Sequence, residues 1–149
     1  GGGRGAPARR GETTKGTVVM ANSAGPYRLG NAVARDGSGN PVPPPYGGNP
    51  LGRVVLGADG RMIALTCDAS PNLAAGVKRE FSSYTGMYTF DGKTLVTKVD
   101  GASDPSRIGS DQVRGVRFED GLMVLRPPLR PYGAAPEQRE LYWEKISDI

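Results

Sequence analysis

From Pro26 onward, apolar and polar residues alternate mostly in short runs, with helical spacing confined to one segment. Alternation with a period of two sends successive side chains to opposite faces of a β-strand. Eight runs carry it: Tyr27 to Arg35, Gly52 to Leu56, Arg61 to Cys67, Tyr84 to Phe90, Thr94 to Val99, Gln112 to Glu119, Leu122 to Arg126 and Arg139 to Ile146. A ninth candidate covers Thr17 to Met20. Among these runs recur Asp36-Gly37, Asp59-Gly60, Asp91-Gly92 and Asp120-Gly121, the dipeptide suited to tight hairpins because Gly accepts a positive φ. Strands joined to their sequence neighbours leave two unpaired edges, and closing the sheet satisfies both. The pattern predicts an all-β fold, an antiparallel up-and-down β-barrel of about eight strands.

Three segments interrupt the meander and are expected at the barrel rims: Asn40 to Pro50, Asp68 to Ser83 and Asp100 to Asp111. Within the second, Leu73, Val77 and Phe81 stand at i, i+4 and i+8, which predicts one short helix over Pro71 to Phe81. Such a helix either plugs one end of the barrel or gates a ligand, and both arrangements point Phe81 inward. Pro43-Pro44-Pro45 reads as a stiff polyproline spacer.

Composition narrows the chemistry. Gly (23) and Pro (13) make up about a quarter of the 149 residues, which suits frequent turns and argues against a helical bundle. There is no His and only one Cys, Cys67, so Ser-His-Asp and Cys-His catalysis, Cys/His zinc sites and an internal disulfide are excluded. Cys67 reads as a small buried hydrophobe. No glycine-rich phosphate loop lies between a strand and a helix, so neither a nucleotide cofactor nor a metal is expected. Of the net charge of +4, +3 falls on Arg4, Arg9, Arg10 and Lys15 set against Glu12. Residues 1–24 therefore read as a flexible basic arm, with 25–149 as the barrel domain. The nearly balanced remainder argues against a nucleic-acid partner, and no apolar run approaches the roughly 18 residues of a membrane span. A soluble, cytoplasmic protein is the expectation.

Strand parity nominates the interior. Gln112, Arg114, Val116 and Phe118 form the more apolar face of their run, so Arg114 and Gln112 are expected at one inner end. An inward guanidinium needs acceptors, supplied either by a carboxylate such as Asp111 or Asp68 or by a ligand oxygen. Tyr84, Gly86, Tyr88 and Phe90 form an aromatic inner face, with Gly86 leaving room for a bend or a ligand and Tyr88 able to donate a hydrogen bond. Trp143 shares a face with Leu141. Met62 and Ala64 oppose Ile63, Leu65 and Cys67 across their strand, so both faces are apolar; a helix or a second subunit would cover the outer one, which leaves room for a homodimer. Asp68, Asp100, Asp104 and Asp111 sit on rim loops, where turn roles account for them without a catalytic dyad.

Several segments together, Pro43-Pro44-Pro45-Tyr46-Gly47, Pro50-Leu51-Gly52, Ala58-Asp59-Gly60-Arg61-Met62, Gly86-Met87-Tyr88, Ile108 to Arg114 and Leu141-Tyr142-Trp143-Glu144-Lys145, resemble the lipocalin-like domain family of short bacterial and fungal proteins. The likeness spans roughly Gly25 to Ile146. It implies an up-and-down barrel around a cavity for a small apolar molecule, and similar barrels serve as cofactor-free cyclases or isomerases in natural-product pathways. The chain departs from the family pattern at Gly25-Pro26-Tyr27, where Gly-Thr-Trp is common, and at Thr97-Lys98, where many members carry His.

Two functions follow as expectations. The first is a barrel that binds a small hydrophobic or amphipathic metabolite against Met62, Phe81, Phe90, Phe118, Leu125 and Trp143, with Gln112 and Arg114 orienting its polar end. The alternative is a cofactor-independent cyclase or isomerase acting on a polyketide- or terpenoid-like substrate, with Arg114 or Tyr88 as the catalytic residue that polarises a carbonyl. A module with a solidly packed interior is the third possibility.

Overall fold

The computed structural model describes residues 23–132 and 135–148. The expected basic arm up to Asn22, with its Thr17 to Met20 strand, lies outside the described residues. Ten strands follow: β1 (Gly25–Asp36), β2 (Pro41–Val42), β3 (Pro50–Leu56), β4 (Arg61–Asp68), β5 (Phe81–Phe90), β6 (Thr94–Ala102), β7 (Asp111–Glu119), β8 (Leu122–Arg126), β9 (Arg130–Tyr132) and β10 (Ala135–Lys145). Each long strand pairs antiparallel with its neighbours, and β1 pairs with β10 from Tyr27 opposite Lys145 to Asp36 opposite Glu137. That last pairing closes an eight-stranded barrel, and the short β2 and β9 extend its rim. The eight expected runs match the eight wall strands to within about four residues at each end.

Because the meander alternates direction, its connections fall into two sets. At one end, the turn end, the links are short: residues 57–60, 91–93 and 120–121. Asp-Gly chemistry forms them. Asp120 and Gly121 both take positive φ, 52° and 79°, and the Asp91 carboxylate accepts the amides of Lys93 and Thr94. At the other end, the mouth, the links are long: 37–49, 69–80, 103–110 and 127–134.

Two bulges set which side chains reach the interior. A register shift between Leu29 and Asn31 changes the parity of β1, so Tyr27 and Leu29 point inward before it and Ala32 and Ala34 after it. A second lies between Thr85 and Gly86, where β6 carries an extra residue, Asp100, facing outward to Arg61 and Thr85. There a Cβ on Gly86 would lie 2.0 Å from the Lys98 carbonyl oxygen, so only Gly allows this approach of β5 to β6.

The segment expected to be a helix, Pro71 to Phe81, is irregular up to Glu80 and enters β5 at Phe81. Gly76 sits at its middle with φ of 79°, and Val77 and Phe81 are half exposed, so the apolar stripe has no surface to pack on. Hydrogen bonds favour the open course instead. The Asp68 amide donates to the Glu80 carbonyl, and the Arg79 guanidinium donates to the carbonyls of Asp68 and Ser70. Phe81, expected inward, therefore faces out at 51 % exposure. Cys67, expected to be buried, is only partly so, because it lies on the outer face between Leu51 and Phe81.

Candidate functional site

The interior divides into a packed half and an open half. Tyr27, Leu56, Met62, Tyr88, Leu95 and Met123 fill the barrel toward the turn end, none more than 4 % exposed. Tyr88 is committed to the fold: its hydroxyl donates to the Gly57 carbonyl at 2.7 Å, and its amide donates to Gly60. Tyr27 donates to the Ser23 carbonyl, and burial, with a lesser contribution from Tyr88, pushes its pKa from 10.0 up to about 12.

Toward the mouth the side chains stop short of one another and leave a cavity of about 230 Å³. Its apolar floor and walls are Val54, Ala64, Leu125, Leu141 and Trp143. Gly52 makes space for the floor, because a Cβ there would meet the Trp143 ring at 2.9 Å. The Trp143 side chain is buried, and its indole N–H has no hydrogen-bond acceptor among the described residues. Four guanidiniums ring the upper part: Arg107, Arg114, Arg130 and Arg139. Glu80 is the one carboxylate among the described lining residues.

The four cations differ in what holds them. Arg139 is paired with Glu80 at 3.2 Å and Glu137 at 3.3 Å, and it lies 3.6 Å from the centre of the Tyr132 ring. Arg107 donates twice to the Gln112 amide oxygen and once to the Ser82 hydroxyl, and it stacks over Tyr84 at 4.6 Å. Arg130 donates to the Tyr132 hydroxyl. Arg114 is 8 % exposed and, among the described residues, donates only to the carbonyl of its neighbour Val113. Burial lowers its pKa; Tyr84 opposes that shift, and the charges of Arg130 and Arg107 add to it. Neither Asp111 nor Asp68 supplies the expected ion pair. Asp68 instead accepts the Ser70 amide on the rim.

Tyr46 shapes one side of the mouth. It holds φ of 62°, uncommon for a bulky residue, and its hydroxyl accepts from Thr66 while its amide donates to Glu80. Glu80 thus ties the Pro-rich loop to Arg139 on β10.

The family model of the lipocalin-like domain matches residues 24–146. The chain belongs to the lipocalin-like domain family. No curated protein and no solved structure matches it. Its barrel is thus of a kind that in general binds ligands inside.

In this lipocalin-like barrel, three of the residues nominated from sequence line the cavity: Arg114, Leu125 and Trp143. Gln112 is buried beside it and fixes Arg107. Met62 and Phe90 are buried but belong to the packed half. Phe118, expected inward, is 55 % exposed, because β7 runs past the barrel wall near the turn end; its ring sits 6.4 Å from Phe90. Arg114 and Tyr88, each nominated to polarise a carbonyl, lie in different parts of the interior. Tyr84 borders the cavity, and Tyr88 lies four residues further along the same strand, about 13 Å at the usual strand rise. Sequence reasoning missed Arg107, Arg130, Arg139, Tyr46 and Glu80. Arg139 alone carried a signal, since it shares strand parity with Leu141 and Trp143; the others stand in rim segments where period two says nothing.

Proposed function

We propose that this protein binds a small amphipathic molecule in the mouth half of its barrel, apolar body against Leu125, Leu141 and Trp143 and hydrogen-bond-accepting end toward Arg114. One observation carries this reading: a buried guanidinium whose only described acceptor is an adjacent backbone carbonyl. A buried cation left this way is costly, and a ligand oxygen is the acceptor that would relieve it. Apolar burial supplies affinity and the few donors supply orientation.

Trp143 is the only tryptophan in the chain, so its fluorescence reports on the cavity directly. Titration with octanoate is expected to change that emission saturably, and Arg114→Met is expected to weaken binding about tenfold to a hundredfold, the value of a charge-assisted hydrogen bond. Octanoate, octanol and octyl phosphate all leaving the emission unchanged would overturn the reading, as would equal octanoate affinity in the variant.

A further inference from the structure

The cavity carries more positive charge than one carboxylate would balance. Arg107, Arg114 and Arg130 all line it, and each is held by neutral groups: the Gln112 amide and Ser82 hydroxyl, the Val113 carbonyl, and the Tyr132 hydroxyl. None has a carboxylate partner among the described residues. Glu80, the cavity's one described acid, is already engaged by Arg139 and the Tyr46 amide. Three uncompensated guanidiniums around one small space repel each other, and a proximate dianion removes that repulsion.

Resting on the ligand-binding reading above, we infer that the ligand's polar end is a compact dianion of the phosphate monoester type, received by Arg107, Arg114 and Arg130 together. Guanidinium forks match phosphoryl oxygens bidentately, and Arg114 and Arg130 each spend only one described donor on the protein. The positions of Arg107 and Arg130 are fixed sideways, by stacking on Tyr84 and Tyr132, which leaves their remaining N–H groups free to turn to a ligand. The floor of Trp143, Leu125 and Leu141 would take an apolar substituent on the ester.

The test compares four probes by Trp143 emission at constant pH and ionic strength: octyl phosphate, methyl octyl phosphate with one charge on the same phosphoryl group, octanoate, and inorganic phosphate by competition. Octyl phosphate is expected to bind at least tenfold tighter than methyl octyl phosphate or octanoate. Arg107→Gln and Arg130→Gln should each shrink that preference several-fold while changing octanoate binding less. If octanoate or the singly charged ester binds as tightly as octyl phosphate, the dianion inference falls and the amphiphile reading stands. If inorganic phosphate competes as well as octyl phosphate, the dianion inference holds with free phosphate as its source, and the amphiphile reading falls.

Discussion

The two ends of the barrel are built from the same eight strands, yet they solve opposite problems. At the turn end, short Asp-Gly links bring strand ends together, and Leu56, Leu95 and Met123 close the interior with at most 2 % of their surface exposed. Each such side chain contributes roughly 1.5–3 kcal/mol of burial. At the mouth, long links hold strand ends apart, and the lining turns to Arg and Tyr around a cavity of about 230 Å³. An unpaired buried guanidinium works against folding. The packed half stabilises the barrel, and this surplus lets the mouth keep donors poised for something other than the protein.

Paired substitutions break or sharpen this contrast most strongly. Leu56→Ala removes a fully buried side chain from the packed half and is expected to lower unfolding free energy by about 2–5 kcal/mol. Arg114→Met keeps an unbranched apolar stem and removes the unpaired charge, so it is expected to leave stability unchanged or raise it by about 1 kcal/mol or more. Chemical denaturation of the two variants against the parent checks both. A loss in Arg114→Met as large as in Leu56→Ala would show that the guanidinium is structural, and the division between the ends would disappear.

Alkali offers a second, smaller probe of the packed half. Burial raises the Tyr27 pKa from 10.0 to about 12 and also raises those of Tyr88 and Tyr46. The fold therefore favours the neutral phenol more than the unfolded chain does. Its contribution is complete below pH 10 and is lost as pH rises toward about 12, on the order of 2 kcal/mol for Tyr27 alone. Thermal melts across that window should fall steadily in the parent. Tyr27→Phe should flatten the fall, although it also loses the hydrogen bond to Ser23, so the slope with pH and not the absolute melting temperature is the readout.

How much of this was legible beforehand follows the same division. Strand positions, closure and the inward Arg114 and Trp143 were readable because wall residues obey a period of two, and the Asp-Gly links announce themselves. The two bulges were not placed in advance on β1 and β6, since a bulge is the departure from that period. Phe118 misled because parity gives the face of a strand and not its height along the barrel. Phe81 faces out because Gly76 and the Arg79 hydrogen bonds favour an open loop over the helix that a three-residue apolar stripe predicts. The mouth's cations come from β7, β10, the short β9 strand and the 103–110 loop, so no local pattern unites them; only the closed sheet does.

The smallest expected effect lies where the mouth ties itself together. The Glu80 carboxylate accepts the Tyr46 amide at 3.0 Å and meets Arg139 at 3.2 Å, with 41 % of its side chain exposed. Pairs with one solvent-exposed partner contribute on the order of 1 kcal/mol, and Glu137 still holds Arg139, so Glu80→Gln should move stability by about that much or less. Its consequence for binding has the opposite sign. A neutral amide still accepts from Tyr46, but it no longer offsets Arg139, so the cavity gains one unit of positive charge and an anionic probe such as octanoate should bind a few-fold tighter. Raising salt from about 0.1 M to 1 M shortens the screening length from about 10 Å to about 3 Å, which should erase most of that gain if it acts through the field. A gain that survives high salt would mean that the substitution opened the mouth sterically, and Glu80 would then be a latch on the Tyr46 loop more than a counter-charge to Arg139.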